Sequence, residues 1–391
     1  MNALARIRSR LEAGELGALP VVLGLVIIAV VFQSANPAFL SPDNLVNLSL
    51  QCAAVGTIAV GIVLVLLLGQ IDLSVGSVSG LAAAILGVGL TRYGWPLPVA
   101  IAAAVAAGAL AGIAYGVLFT RFGVPSFIVT LAGLLGVLGL QLWVLGPQGS
   151  INLPYDSWIV ILAQQTFLPP WLDYVLSGLA VAAYGFFALR NARRREQAGL
   201  PAVARAEILV RAVLLLVLLV AVSAYLSLDR GVGVTFLLFV LLVAGVDLVL
   251  RRTRWGRSVF AVGGSVEAAR RAGIAVDRVY VSVFVLCGML AALGGLLAAA
   301  RLTSASLSSG AGETNLNAIA AAVIGGTSLF GGRGSAYSAL LGIVVIQSIS
   351  SGLTLLSLDS SVRYMITGAV LVLAVVVDSI SRRSRAAHGR A

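Results

Sequence analysis

Few side chains in this sequence could do covalent chemistry, and the gaps are as informative as the residues present. All 26 basic residues are arginine, and the only histidine, His388, lies in the C-terminal tail. A Walker-type phosphate loop needs its lysine, so the glycine-rich GGTSLFGGRG at 325–334 is not a nucleotide site. Ser–His, Cys–His and His-ligated metal sites lose their base or ligand in the same way. GSVSG at 76–80 places Val78 where a nucleophile elbow requires serine. Cys52 and Cys287 each sit within an apolar run and read as small buried hydrophobes, not as a disulfide. No catalytic residue, metal site or cofactor is therefore expected on this chain.

What remains is polar chemistry embedded in apolar sequence. Asp72, within GQIDLSVGS at 69–77, is the carboxylate most deeply set among hydrophobic residues. Such a group either caps the helix starting at Leu73 or faces a pathway. Ser74 and Ser77 follow it. Asn47 and Gln51 lie four apart and share a helix face. Asn315 and Asn317 open another apolar run, and Gln141 has no evident partner in the sequence. Neutral amides and hydroxyls of this kind suit a neutral, polar solute, or they tie helices together by hydrogen bonds. No arginine lies centrally in an apolar run, which counts against a strongly anionic substrate.

The elements that position these groups follow from composition. Hydrophobic residues make up 60% of the 391, charged residues 10%, and the mean hydropathy is +1.05. Those values place the chain among all-α, polytopic membrane proteins. Twelve segments approach the ~20 residues that a span needs: about 16–32, 48–68, 73–90, 97–119, 127–145, 171–189, 209–228, 232–250, 279–300, 316–330, 335–350 and 362–377. The first follows Arg6, Arg8 and Arg10 without a small-residue cleavage site and reads as an uncleaved signal-anchor. Ser41-Pro42-Asp43-Asn44 has the residues of a helix start. With both termini cytoplasmic, 22 of the 26 arginines fall inside and only Arg92, Arg230, Arg301 and Arg363 outside. Making 316–330 re-entrant would send Arg382, Arg383 and Arg385 outside, so a crossing is expected there. The net charge of +11 thus reflects loop arginines, not a nucleic-acid surface. Glycine-interrupted segments at 69–77 and 325–334, one in each half, are where discontinuous helices beside a pathway are expected.

One loop stands apart. Residues 251–278 carry seven arginines against Glu267 and Asp277. Gly263-Gly264 breaks the chain, Ser265 can cap a helix, Glu267 sits in its first turn, and Arg270 and Arg271 in its last. Gly273 can close it in the left-handed conformation. A helix so short is unstable alone. It reads either as a piece that docks into another protein, through Ala268 and Ala269, or as a solvated basic loop.

GQIDLSVGS at 69–77, GRSVFAVGGSVEAARRAGI at 256–274 and LNAIAAAVIGGTSLFGGRGS at 316–335 resemble, in order, the signature segments of bacterial sugar ABC importer permeases of the ribose/xylose/galactose type. SPDNLVNL at 41–48 and LVLAVVVDS at 371–379 fit the same family's ends. The resemblance implies a single transmembrane permease domain over 1–391, with a ten-helix core and an inserted hairpin at about 171–228 as in xylose-type permeases. It implies a multi-pass protein of the bacterial inner membrane that pairs with a second copy of itself. A cytoplasmic ATPase, which holds the ATP and Mg, and an extracytoplasmic sugar-binding protein would complete the importer. In that scheme Gly263, Gly264, Ser265, Glu267, Ala268, Ala269 and Arg270, within the 251–278 loop, couple to the ATPase. The family usually carries acidic residues where this chain has Asn315 and Asn317. Related branched-chain amino-acid permeases show Asn-x-Ala-x-Gly where this chain has Asp72-Leu73-Ser74-Val75-Gly76, which points to the sugar branch. A self-sufficient secondary transporter is the other alternative, and it would need more embedded charge than Asp72 supplies.

Overall fold

The computed structural model describes residues 19–200, 203–311 and 313–359, with scattered residues between 361 and 376. The expected tail segment 371–379, the terminal arginines and His388 lie wholly or largely outside the described residues. Ser41 starts the first long helix as its sequence suggests: its hydroxyl accepts from the Asn44 amide (3.4 Å), Pro42 takes the first turn, and Asp43 meets the positive end of the helix dipole.

In chain order the helices are α1 (Leu19–Ala35), α2 (Pro42–Leu67), α3 (Val75–Thr91), α4 (Leu97–Phe122) and α5 (Ser126–Leu145). The short strand β1 (Ser150–Asn152) and helix α6 (Trp158–Gln164) precede α7 (Pro170–Gln197), α8 (Arg205–Leu226) and α9 (Val234–Arg252). Then come α10 (Arg254–Gly264), α11 (Val266–Arg271), α12 (Val276–Leu302), β2 (Ser304–Ser306), α13 (Glu313–Ile324) and α14 (Tyr337–Leu355). Among the described residues eight helices are long and apolar enough to cross a membrane, with α1 and α3 shorter and equally apolar. The chain is an all-α, multi-pass membrane protein.

The core sits on α2 and α12, which run antiparallel: Gly61 meets the backbone of Cys287, and Gly294 meets Ala54 and Ile58. α4 closes on α12 through Gly108, Gly112 and Gly116, set four apart so that all three face the same way. A methyl at Gly112 would lie 2.6 Å from the Val285 Cα, and one at Gly116 2.7 Å from the Val281 Cα. Lipid gives such helices no hydrophobic drive to associate, so close backbone approach at small residues takes its place.

α7 and α8 pack chiefly on each other, as an inserted hairpin would. The chain leaves the body and returns at one root, where Leu168 N donates to Val232 O (2.9 Å) and Val234 N to Thr166 O (3.0 Å).

Three features depart from the expected spans. α13 has 12 residues, about 18 Å at 1.5 Å per residue, too short to cross alone. Residues 254–264, expected as basic loop, form an amphipathic helix seated on Val259 and Val262. The outer loops contain α6 and the antiparallel β1–β2 pair, Ile151 opposite Ala305.

Candidate functional site

Two helices begin inside the protein. After Leu67 the chain runs without helix through Gly69–Leu73 before α3 starts. Gly295 of α12 packs on Ser79 of α3, while its neighbour Gly294 packs on Ala54 of α2. Ala54 is thirteen residues, or about 20 Å, above the foot of α2, so α3 begins part-way through the membrane. The mirror-image arrangement follows α12. After β2 the chain descends through Leu307–Ala311, and α13 starts with Asn315 beside Gly76.

The two helix starts therefore cross. Asn315 Nδ2 donates to Leu73 O (2.7 Å), and a methyl at Gly76 would lie 2.5 Å from the Gly310 carbonyl oxygen. Gly310, at φ +71°, has a left-handed backbone and faces the Gly76 carbonyl in turn. Gln141 of α5, fully buried, holds the descending segment: its Nε2 donates to Ser306 O and Ser309 O, both at 3.0 Å. An inner and an outer non-helical segment, each feeding a helix start near mid-depth, is an inverted pairing of broken helices.

Above the crossing lies a cavity of about 310 Å³. Gln51 of α2, Ser79 of α3, Asn317 of α13 and Gln347 of α14 reach it, along with Ser308 and Ser309 of the descending segment. Arg301, in the last turn of α12, and Glu313, at the start of α13, also line it. Gly310 of the crossing lines its base, and Ala54, Val55, Ile58, Ala83 and Leu302 belong to the wall. The wall thus mixes apolar surface with neutral polar groups and one charge of each sign.

The expected pathway residues divide. Gln51 and Asn317 line the cavity. Asp72 does not: it is 2% exposed, and its Oδ1 accepts from Ser74 N (2.8 Å) and Ser74 Oγ (2.7 Å). Ser74 is the N-cap of α3 but makes no side-chain cap bond of its own, so Asp72 organises the helix start from two residues upstream. Ser74 and Ser77 are buried, and neither lines the cavity. Asn315 fixes the crossing. Asn47 lies at the outer rim, where its Nδ2 donates to Asp43 Oδ1 (3.1 Å) and its Oδ1 accepts from Arg230 (3.0 Å). Arg230 also pairs with Asp43 (3.1 Å) and stacks over Phe167, tying the hairpin root to α2.

The segment at 325–334 is not the second break beside the cavity; it lies at the foot of α2. Gly332 N donates to Leu67 O (2.8 Å), and Gly69 packs on Phe330 and Gly331. The break that reaches the cavity is 303–311, whose run of small polar residues reads in sequence as an ordinary loop. Gln141 stands out in the sequence only as an embedded amide without a partner, and its partners lie 165 and 168 residues away. Arg301, Glu313 and Gln347 carry no local signal that marks them as cavity residues.

At the cytoplasmic end, Gly263 packs against Leu67 O and Gly332 N, so α10 joins the foot of α2 to the 325–334 segment. Ser265 caps α11, accepting from Ala268 N (3.3 Å), and Gly273 ends it at φ +79°. Gly264, Ser265, Val266, Glu267, Ala268, Arg270 and Arg271 are exposed, with a Glu267–Arg271 pair at 3.5 Å. Ala269 is not available for docking: it is 2% exposed, packed inward as the anchor of α11.

Comparison with known proteins agrees with this architecture. Residues 44–375 match the family described as "Branched-chain amino acid transport system / permease component". Xylose transport system permease protein XylH of Escherichia coli (strain K12) is 35% identical over 376 residues, 96% of this chain and 95% of that protein. Fructose import permease protein FrcC of Rhizobium meliloti is 31% identical over 93% of this chain and 84% of its own length. Ribose import permease protein RbsC of Escherichia coli (strain K12) is 30% identical over 92% of each chain. No solved structure matches. With a family match across nearly its whole length and relatives of this kind, the chain belongs to the branched-chain amino acid transport system / permease component family.

Proposed function

We propose that the chain is the membrane-spanning subunit of an ATP-driven sugar importer, and that its outer cavity receives a neutral monosaccharide, a pentose of the xylose kind. The observation that carries this reading is the cavity wall. Gln51, Ser79, Ser309, Asn317 and Gln347 present amides and hydroxyls that exchange hydrogen bonds with sugar hydroxyls, and Arg301 and Glu313 leave the wall without net charge. The relatives named for xylose, fructose and ribose, similar over 92–96% of the chain, support the same class.

Energy comes from a separate ATPase that binds ATP and Mg and docks on the exposed face of α11. Sugar arrives from an extracytoplasmic binding protein, and the full pathway forms between two copies of this chain. Force on α11 reaches the cavity through Gly263, the foot of α2 and the Gly69–Ser74 segment, because these pack in one continuous series.

One observation favours a second reading. Arg301 and Glu313 together match the carboxylate and ammonium of a zwitterion, and the family description names branched-chain amino acids. Proteoliposomes holding the permease, its ATPase and its binding protein separate the two. ATP-dependent uptake of labelled xylose, with leucine neither transported nor competing, is the expected result; leucine uptake in preference to every sugar overturns the assignment.

A further inference from the structure

A second concavity, unrelated to the sugar route, opens between α7, α9 and the start of α14. It is a groove of about 800 Å³ at the end of the molecule that the arginine bias places in the cytoplasm. Arg190 and Arg194, one turn apart on α7, and Arg252, the last residue of α9, line it. None of the three has an ion-pair partner among the described residues. The walls are apolar and aromatic, with Tyr184, Phe187 and Tyr337 exposed.

We propose that this groove binds one anionic phospholipid of the inner leaflet, its phosphate between the guanidinium groups and an acyl chain along the apolar face of α7. Three unpaired arginines converging from two helices form a phosphate site, since guanidinium forks grip phosphate oxygens bidentately. Basic pockets between helices on the cytoplasmic side suit anionic headgroups, and tyrosines at interfacial depth are at home there. The gap exists because α7 and α8 pack mainly on each other, leaving the hairpin apart from the body except near its outer root. A second copy of this chain is a poor occupant, because its cytoplasmic edge carries the same arginine excess. A soluble phosphate would leave the aromatic walls uncovered.

The test uses the full chain extracted in mild detergent and examined by native mass spectrometry with added phosphatidylglycerol, phosphatidylcholine or inorganic phosphate. The wild type is expected to retain phosphatidylglycerol in preference to phosphatidylcholine, and inorganic phosphate is expected not to displace it. The Arg190→Gln/Arg194→Gln/Arg252→Gln variant should hold one phosphatidylglycerol fewer, with unchanged helical circular dichroism. A control variant, Arg254→Gln/Arg257→Gln/Arg278→Gln, removes equal charge elsewhere on the same face and should lose none. Equal retention of the two lipids by the wild type overturns the proposal without any variant. Displacement by inorganic phosphate, or equal loss in both variants, also overturns it.

Discussion

Asp72 lies where the extended Gly69–Leu73 segment turns into α3, and the donors recorded on its Oδ1 both come from Ser74. Asparagine can accept the same bonds, so Asp72→Asn should keep most uptake and stability, while Asp72→Ala should cost about 1 kcal/mol through the lost cap. Thermal denaturation beside uptake checks this; equal failure of both variants in a folded protein would assign the carboxylate charge a role in transport. Gln141 matters for the opposite reason, since its partners lie 165 and 168 residues away. Gln141→Leu should strand the Ser306 and Ser309 carbonyls at about 1–3 kcal/mol and slacken the descending segment, seen as a lower melting temperature and lost transport. The contrast explains what the sequence showed. A cap is a contact between residues two apart and can be read along the chain; Gln141 becomes meaningful only once α5 is placed beside the 303–311 segment.

Helices α10 and α11 show where periodicity stops being informative. Ser265, Glu267 and Gly273 mark the boundaries of α11 in sequence, and the structure places the helix there. Which face it turns outward depends on packing, and two adjacent alanines look alike until Ala269 is found inside and Ala268 outside. Ala268→Trp should therefore leave melting unchanged while the ATPase no longer co-purifies. Ala269→Trp should lower the stability of the permease itself by about 1–3 kcal/mol through overpacking. If Ala268→Trp retains the ATPase and its stimulated hydrolysis, α11 is not the docking element. The expected spans elsewhere overlap α1–α5, α7–α9, α12 and α14, because long apolar runs are dictated by the bilayer. α2 starts six residues earlier and α7 ends eight residues later than expected, where polar turns extend the helix beyond the apolar run. α6, α10 and the β1–β2 pair escaped notice because they lie in loops, outside that constraint.

The inverted pair of broken helices, α3 rising from the inner segment and α13 descending from the outer one, gives the protein its plan. It was only half legible. The Gly69–Ser77 interruption marks its own break, but in sequence the glycine-rich 325–334 segment looks more like its partner than the true one at 303–311. Sidedness follows from the arginine split and can be checked directly. Cys52 and Cys287 are buried and free, so single cysteines at Ser308 and Ala268 should label from outside and inside respectively.

Everything in the functional account converges on the cavity above the Gly76–Gly310 crossing. ATP-driven xylose uptake by proteoliposomes carrying Asn317→Trp, with Asn47→Trp as the control, tests it most directly. Filling the cavity at Asn317 should abolish uptake while leaving melting and ATPase binding intact, and Asn47→Trp, at the outer rim, should still transport. Full uptake by a folded Asn317→Trp protein would contradict the account.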